Sequence, residues 1–129
     1  MKSVDLIVRC LLALPFVLYG ASKFYAFMPT PPITREAALF LGALISTGYM
    51  WKLVGLVEIL GALFLVFQRT SNLGLLLLGP VILHIVCYLL WLQSGIGPAP
   101  VAMSLFLMTT FAFLVFRRRG AWLEVLGMR

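Results

Sequence analysis

Four side chains in an otherwise apolar chain have the chemistry to bind an ion or move a proton: Arg9, Lys23, Glu58 and His84. Glu58 is the most demanding of them. It lies near the middle of the apolar run 50–67, which is long enough to cross a bilayer. At ~1.5 Å per helical residue it stands roughly 10 Å from Trp51 and ~14 Å from Phe67. A carboxylate at that depth costs several kcal/mol unless it is paired, protonated or facing a wet cavity. Gly55 and Gly61 flank it at i−3 and i+3, with Ala62 at i+4, a smooth face that lets another helix approach closely. An acid, an imidazole and a base in one low-dielectric centre would have the shifted protonation states that proton transfer uses.

The elements that must position these groups are membrane helices. The chain has 129 residues, of which 63% are hydrophobic and 11% charged, with a mean hydropathy of +1.09. A soluble domain carries about 25% charged residues. The expected architecture is therefore an all-α membrane protein: a single domain, residues 1–129, built as a four-transmembrane-helix bundle. Its spans are expected at about 4–24, 50–67, 73–92 and 101–116, with the first retained rather than cleaved as a signal peptide. The Pro-rich piece 28–32 reads as extended. A short helix over 34–47 follows it, with Thr34 as N-cap, Glu36 in the first turn and Gly48 as its stop. That helix reads either as an interfacial element or as a lid over the polar centre.

The ten basic and four acidic residues give a net charge of +6, which reflects topology and contact with anionic lipid rather than nucleic-acid binding. Lys2, Arg69, Arg117, Arg118, Arg119 and Arg129 fall on one side of the spans, while Lys23 and Arg35 fall on the other with Lys52 near its edge. The positive-inside rule then puts both termini in the cytoplasm. Anionic headgroups are expected at Arg117, Arg118 and Arg119. Two cysteines, Cys10 and Cys87, are too far apart in depth for a disulfide and form no redox or metal motif.

Depth along the spans allows one polar centre. Counted from the cytoplasmic end, Arg9 lies ~8 Å in, Glu58 ~14 Å and His84 ~16 Å. An arginine reaches ~6 Å, so an Arg9–Glu58 pair with His84 alongside is expected. Lys23 stands near the opposite mouth and Asp5 by the inner entrance, an i,i+4 neighbour of Arg9. Each has a plainer reading: Arg9 snorkelling to headgroups, Glu58 in an ion pair that fixes helix register, His84 as a hydrogen-bonded interior residue. Tyr88 and Trp91 read as belt aromatics at the outer interface. One histidine completes no common metal site, so no metal is expected.

The pattern Arg9-x10-Gly20-x2-Lys23 in the first span, with Gly55-x2-Glu58-x2-Gly61 in the second, resembles the DoxX family of small four-helix membrane proteins. The resemblance extends to the Pro-rich first connection, the Gly79-Pro80 step and the basic tail. It implies a subunit or accessory of a quinone-linked membrane oxidoreductase, with quinone as the possible cofactor and Arg9, Gly20, Lys23 and Glu58 as the residues carried over. The alternative it implies is a non-catalytic membrane chaperone, assembly factor or scaffold with a structural polar centre. The family fold is similar to the four-helix core of vitamin K epoxide reductase, whose CxxC pair this chain lacks. Expected partners are membrane lipids and a redox partner or a second copy of the chain.

Overall fold

A computed structural model describes residues 2–25 and 33–127. The expected extended piece 28–32 lies outside the described residues. Among the described residues there are six α-helices: α1 (Lys2–Ser22), α2 (Arg35–Ser46), α3 (Met50–Val66), α4 (Ser71–Cys87), α5 (Ala99–Arg117) and α6 (Arg119–Val125). A 3-10 turn, Gln68–Thr70, joins α3 to α4, and a π-helical turn, Tyr88–Leu92, prolongs α4. There is no strand among the described residues. Among the described residues, three segments are long and apolar enough to cross a membrane: Lys2–Ser22, Gln68–Leu92 and Ala99–Arg117. A fourth is available if α2 and α3, bent 93° apart, count as one broken span.

The packing is that of a membrane protein turned as its solvent demands. Large apolar side chains such as Leu14, Leu56, Leu76, Leu83 and Leu105 point outward, while Asp5, Arg9, Glu58, Ser71, Gln93 and Ser104 are buried. In hydrocarbon an exposed leucine is at no disadvantage, whereas an exposed ion has no water to solvate it.

Helices α1, α3, α4 and α5 close a ring in which α1 packs on α3, α3 on α4, α4 on α5 and α5 back on α1. Glycines set the two closest seams. A Cβ on Gly20 would come within 2.9 Å of the Gly55 carbonyl oxygen, so α1 and α3 meet there almost backbone to backbone. On the other side of α3, a Cβ on Gly74 would lie 2.5 Å from the Leu65 nitrogen and 2.7 Å from the Gly61 oxygen. Close approach of this kind is how helices gain packing energy where no hydrophobic force drives them together. Between the seams Leu12, Phe16, Leu65, Leu75, Leu78 and Leu107 fill the core.

Helix α2 begins as the sequence predicts. The Thr34 hydroxyl accepts a hydrogen bond from the Ala37 amide at 3.1 Å and donates one to the Leu92 carbonyl, and the Thr34 amide donates to Gln93 Oε1 at 2.8 Å. It stops at Gly48, whose φ of +84° favours a residue without a Cβ. Phe40 packs against His84 and Tyr88, at ring separations of 5.2 and 5.9 Å. Helix α2 thus docks on the far end of α4. Cys10 and Cys87 are free and lie on outward faces.

Candidate functional site

The residues expected to form one centre fall into three places. Glu58 is 1% exposed and faces the α1–α3 seam, as its flanking glycines require. Its partner is Lys23: the ammonium lies 3.1 Å from Oε1 and 3.2 Å from Oε2. The same ammonium sits 4.8 Å from the centre of the Trp51 ring and 3.5 Å from the Tyr19 carbonyl oxygen, to which it donates. Carboxylate, ammonium and indole face together form a neutral, closed arrangement in which each charge is answered within the seam.

Two of the expected contacts to Glu58 are corrected by the geometry. Arg9 is buried, at 4% exposure, but it donates from Nη1 to the carbonyls of Val66 and Leu65, at 2.8 and 3.3 Å. It therefore stands level with the end of α3, eight residues from Glu58, or about 12 Å along the axis. With the start of α1 and the end of α3 level, that separation would be about half as large. In fact α1 begins further out. Lys23 gains by the same shift. A Cβ on Gly55 would lie 3.0 Å from the Lys23 Cβ, which places Lys23 about 7–8 Å inside the Met50 end of α3 rather than at the mouth.

His84 is the second correction. It is exposed and touches Phe40 rather than Glu58. The buried stripe of α4 runs through Ser71, Gly74, Leu75, Leu78, Ile82 and Val86. Two residues beyond Ile82, at 100° each, His84 points about 200° away, to the outside of the ring. Tyr88 is half-buried under Phe40, and Trp91 is 80% exposed.

The third place, at the Arg9 end, gathers more charge than the expected centre does. Asp5, 6% exposed, accepts from three guanidiniums. Arg9 Nε lies 2.9 Å from Oδ2, and Arg117 Nε lies 3.1 Å from Oδ1. Arg118 engages both oxygens, Nη1 at 3.0 Å and Nη2 at 2.9 Å, the two-pronged geometry that guanidinium and carboxylate share. Arg118 Nε also donates to the Ser71 hydroxyl at 3.2 Å. These bonds tie α1, α4 and α5 together, while Arg9 absorbs carbonyls at the end of α3 that have no helical partner of their own. Arg119 stands apart: its guanidinium rests over the Phe116 ring at 4.5 Å and donates to the Phe116 carbonyl.

Arg117, Arg118 and Ser71 are the site residues the sequence reading did not bring to Asp5. One signal was there. Asp5 is the only acid of the first span, and the chain's densest run of bases ends a span on the same side. No group of histidine, cysteine or acidic side chains able to hold a metal occurs among the described residues. No family model matches the chain, and no curated protein or solved structure does.

Proposed function

We propose that the chain is a non-catalytic integral membrane protein, an assembly factor or scaffold in which buried ion pairs lock the helices together. The observation that carries this reading is the closed Lys23–Glu58 pair, whose ammonium lies against both carboxylate oxygens at the tightest point of the α1–α3 seam. The ammonium so engaged has its three protons directed at the two carboxylate oxygens and the Tyr19 carbonyl. A centre that binds quinone needs donors turned toward the ligand. In this reading the chain crosses the membrane four times, with α2 and α3 forming one broken span. Both termini face the cytoplasm, and Arg117, Arg118 and Arg119 meet anionic headgroups. The DoxX-like pattern is compatible with it, since Gly20, Lys23, Gly55 and Glu58 are the residues of this seam.

The test is Glu58→Gln in the purified protein. The expected result is a lower unfolding midpoint in detergent, with any partner-linked activity falling only as far as the amount of folded protein falls. The rival reading is a quinone-linked oxidoreductase subunit. It predicts that the wild type binds a soluble quinone analogue and that Glu58→Gln loses this binding at unchanged stability. That result would overturn the proposal.

A further inference from the structure

The Asp5 end of the molecule carries a charge imbalance that its own side chains do not correct. A cleft of about 250 Å³ opens there, lined among others by Lys2, Asp5, Arg9, Arg117 and Arg118. Four bases face one acid, a formal excess of three positive charges. Two of these bases are well removed from solvent: the Arg9 and Arg118 side chains are 5% and 14% exposed, and both spend their strongest bonds on the single carboxylate of Asp5. Burying a guanidinium without a full counter-charge is costly, and the cost falls when an anion enters.

The remaining donors are placed to receive one. Arg117 gives Asp5 only its Nε, and its side chain is 28% exposed, open to the cleft. Lys2 also lines the cleft and is paired with no carboxylate among the described residues. The first turn of α4, through Ser71 and Asn72, forms another wall. That turn continues directly from the 3-10 turn Gln68–Thr70, with the Ser71 amide donating to the Gln68 carbonyl, so it supplies a wall and no open helix end. At ~30 Å³ per water, the volume is about eight waters, room for a phosphate group and its nearest solvent. Carbonyls from the ends of α3 and α5, which would repel an anion, are already covered by Arg9 and Arg118.

We infer that this cleft is a binding site for a phosphoryl oxyanion, held by Arg117 and Lys2 against guanidiniums that Asp5 keeps in place. Asp5 is a positioning residue: it orders the bases and does not touch the ligand. The phosphoryl group has two sources, the headgroup of an anionic phospholipid or free phosphate. The first rests on the membrane reading above and the second does not. Arg119 takes no part in the cleft, being held over Phe116.

The experiment uses the full chain purified in an uncharged detergent. Three probes are titrated separately and read by thermal unfolding and by native mass spectrometry: short-chain phosphatidylglycerol, short-chain phosphatidylcholine and inorganic phosphate. Expected is saturable stabilisation by phosphatidylglycerol or by phosphate, and little by phosphatidylcholine. Affinity should fall about tenfold or more in the Lys2→Gln/Arg117→Gln double variant and stay within about twofold in Arg119→Gln; tenfold corresponds to 1.4 kcal/mol. Lys2→Gln alone, at an exposed position, keeps the test open if the double variant does not fold. Phosphate that stabilises where the lipid does not assigns the site to a soluble ligand, and the converse assigns it to a headgroup. Equal response to phosphatidylglycerol and phosphatidylcholine with none to phosphate would overturn the inference. So would a loss in Arg119→Gln matching that in the double variant, since binding would then follow the charge of the tail rather than the cleft. Failure of both anionic probes overturns it while leaving the scaffold reading untouched, because that reading is tested at Glu58.

Discussion

The two charged regions of this small molecule solve the same problem in opposite ways. At the α1–α3 seam one acid meets one base, the pair is neutral, and glycines bring the backbones close around it. At the Arg9 end one acid serves three guanidiniums, and a cleft with one further base, Lys2, opens beside them. The first arrangement is complete in itself and does what a buried pair does best, fixing which residues face each other across a helix contact. The second leaves positive charge unanswered and donors in reach of an incoming ligand. A buried acid in an apolar helix is here answered by a single base from the neighbouring helix. The balance of charge around it, and the room beside it, separate a lock from a binding site.

The largest effect is expected at Asp5. Asp5→Ala leaves three guanidiniums facing one another and is expected to cost about 3–5 kcal/mol of stability in detergent, measured by chemical or thermal unfolding. Part of that loss should return when phosphate is added, because an anion then stands in for the missing carboxylate. Glu58→Gln is expected to cost about 3 kcal/mol, the lower end of that range, because Lys23 keeps the Tyr19 carbonyl and the Trp51 ring. Phosphate should restore none of it. Replacing both partners, Lys23→Met with Glu58→Leu, should bring stability back to within about 1 kcal/mol of wild type, as a seam closed by apolar groups needs no charge.

Between the two regions runs the α3–α4 seam. Gly74→Ala forces a methyl against Leu65 and Gly61 backbone and should cost about 1–3 kcal/mol, whereas Gly42→Ala, in open space, should not. Thr34→Ala removes the cap of α2 and should cost about 1 kcal/mol while leaving both charged regions as they are. The smallest effect is expected at His84. His84→Leu on the outer face should change stability by less than about 0.5 kcal/mol, and a larger loss would mean that the imidazole serves the interior after all.

Much of this was legible in the residues. Apolar run lengths located the helices, Thr34 and Gly48 bounded α2, and the small residues around Glu58 marked the face on which another helix rides. The Asp5–Arg9 neighbourhood was also readable from helical spacing. What could not be read was the sliding of one helix against another. A shift of about four residues between α1 and α3, ~6 Å, moved Arg9 out of reach of Glu58 and brought Lys23 within it. His84 failed for a different reason. In an apolar helix such as α4, where leucine occupies every face, hydrophobic periodicity does not say which side turns inward, and the histidine was assigned by depth alone. The contacts of Arg117 and Arg118 with Asp5 join opposite ends of the sequence, and only the closing of the ring by α5 on α1 brings them together.

The pairing of Glu58 with Lys23 and its separation from Arg9 are both measured by double-mutant cycles. Unfolding free energies of Glu58→Leu, Lys23→Met, Arg9→Met and the two double variants containing Glu58→Leu are the quantities needed. The predicted result is a coupling of about 2–3 kcal/mol between positions 23 and 58, with positions 9 and 58 additive to within about 0.5 kcal/mol. Strong coupling of Arg9 to Glu58, with Lys23 additive, would contradict it.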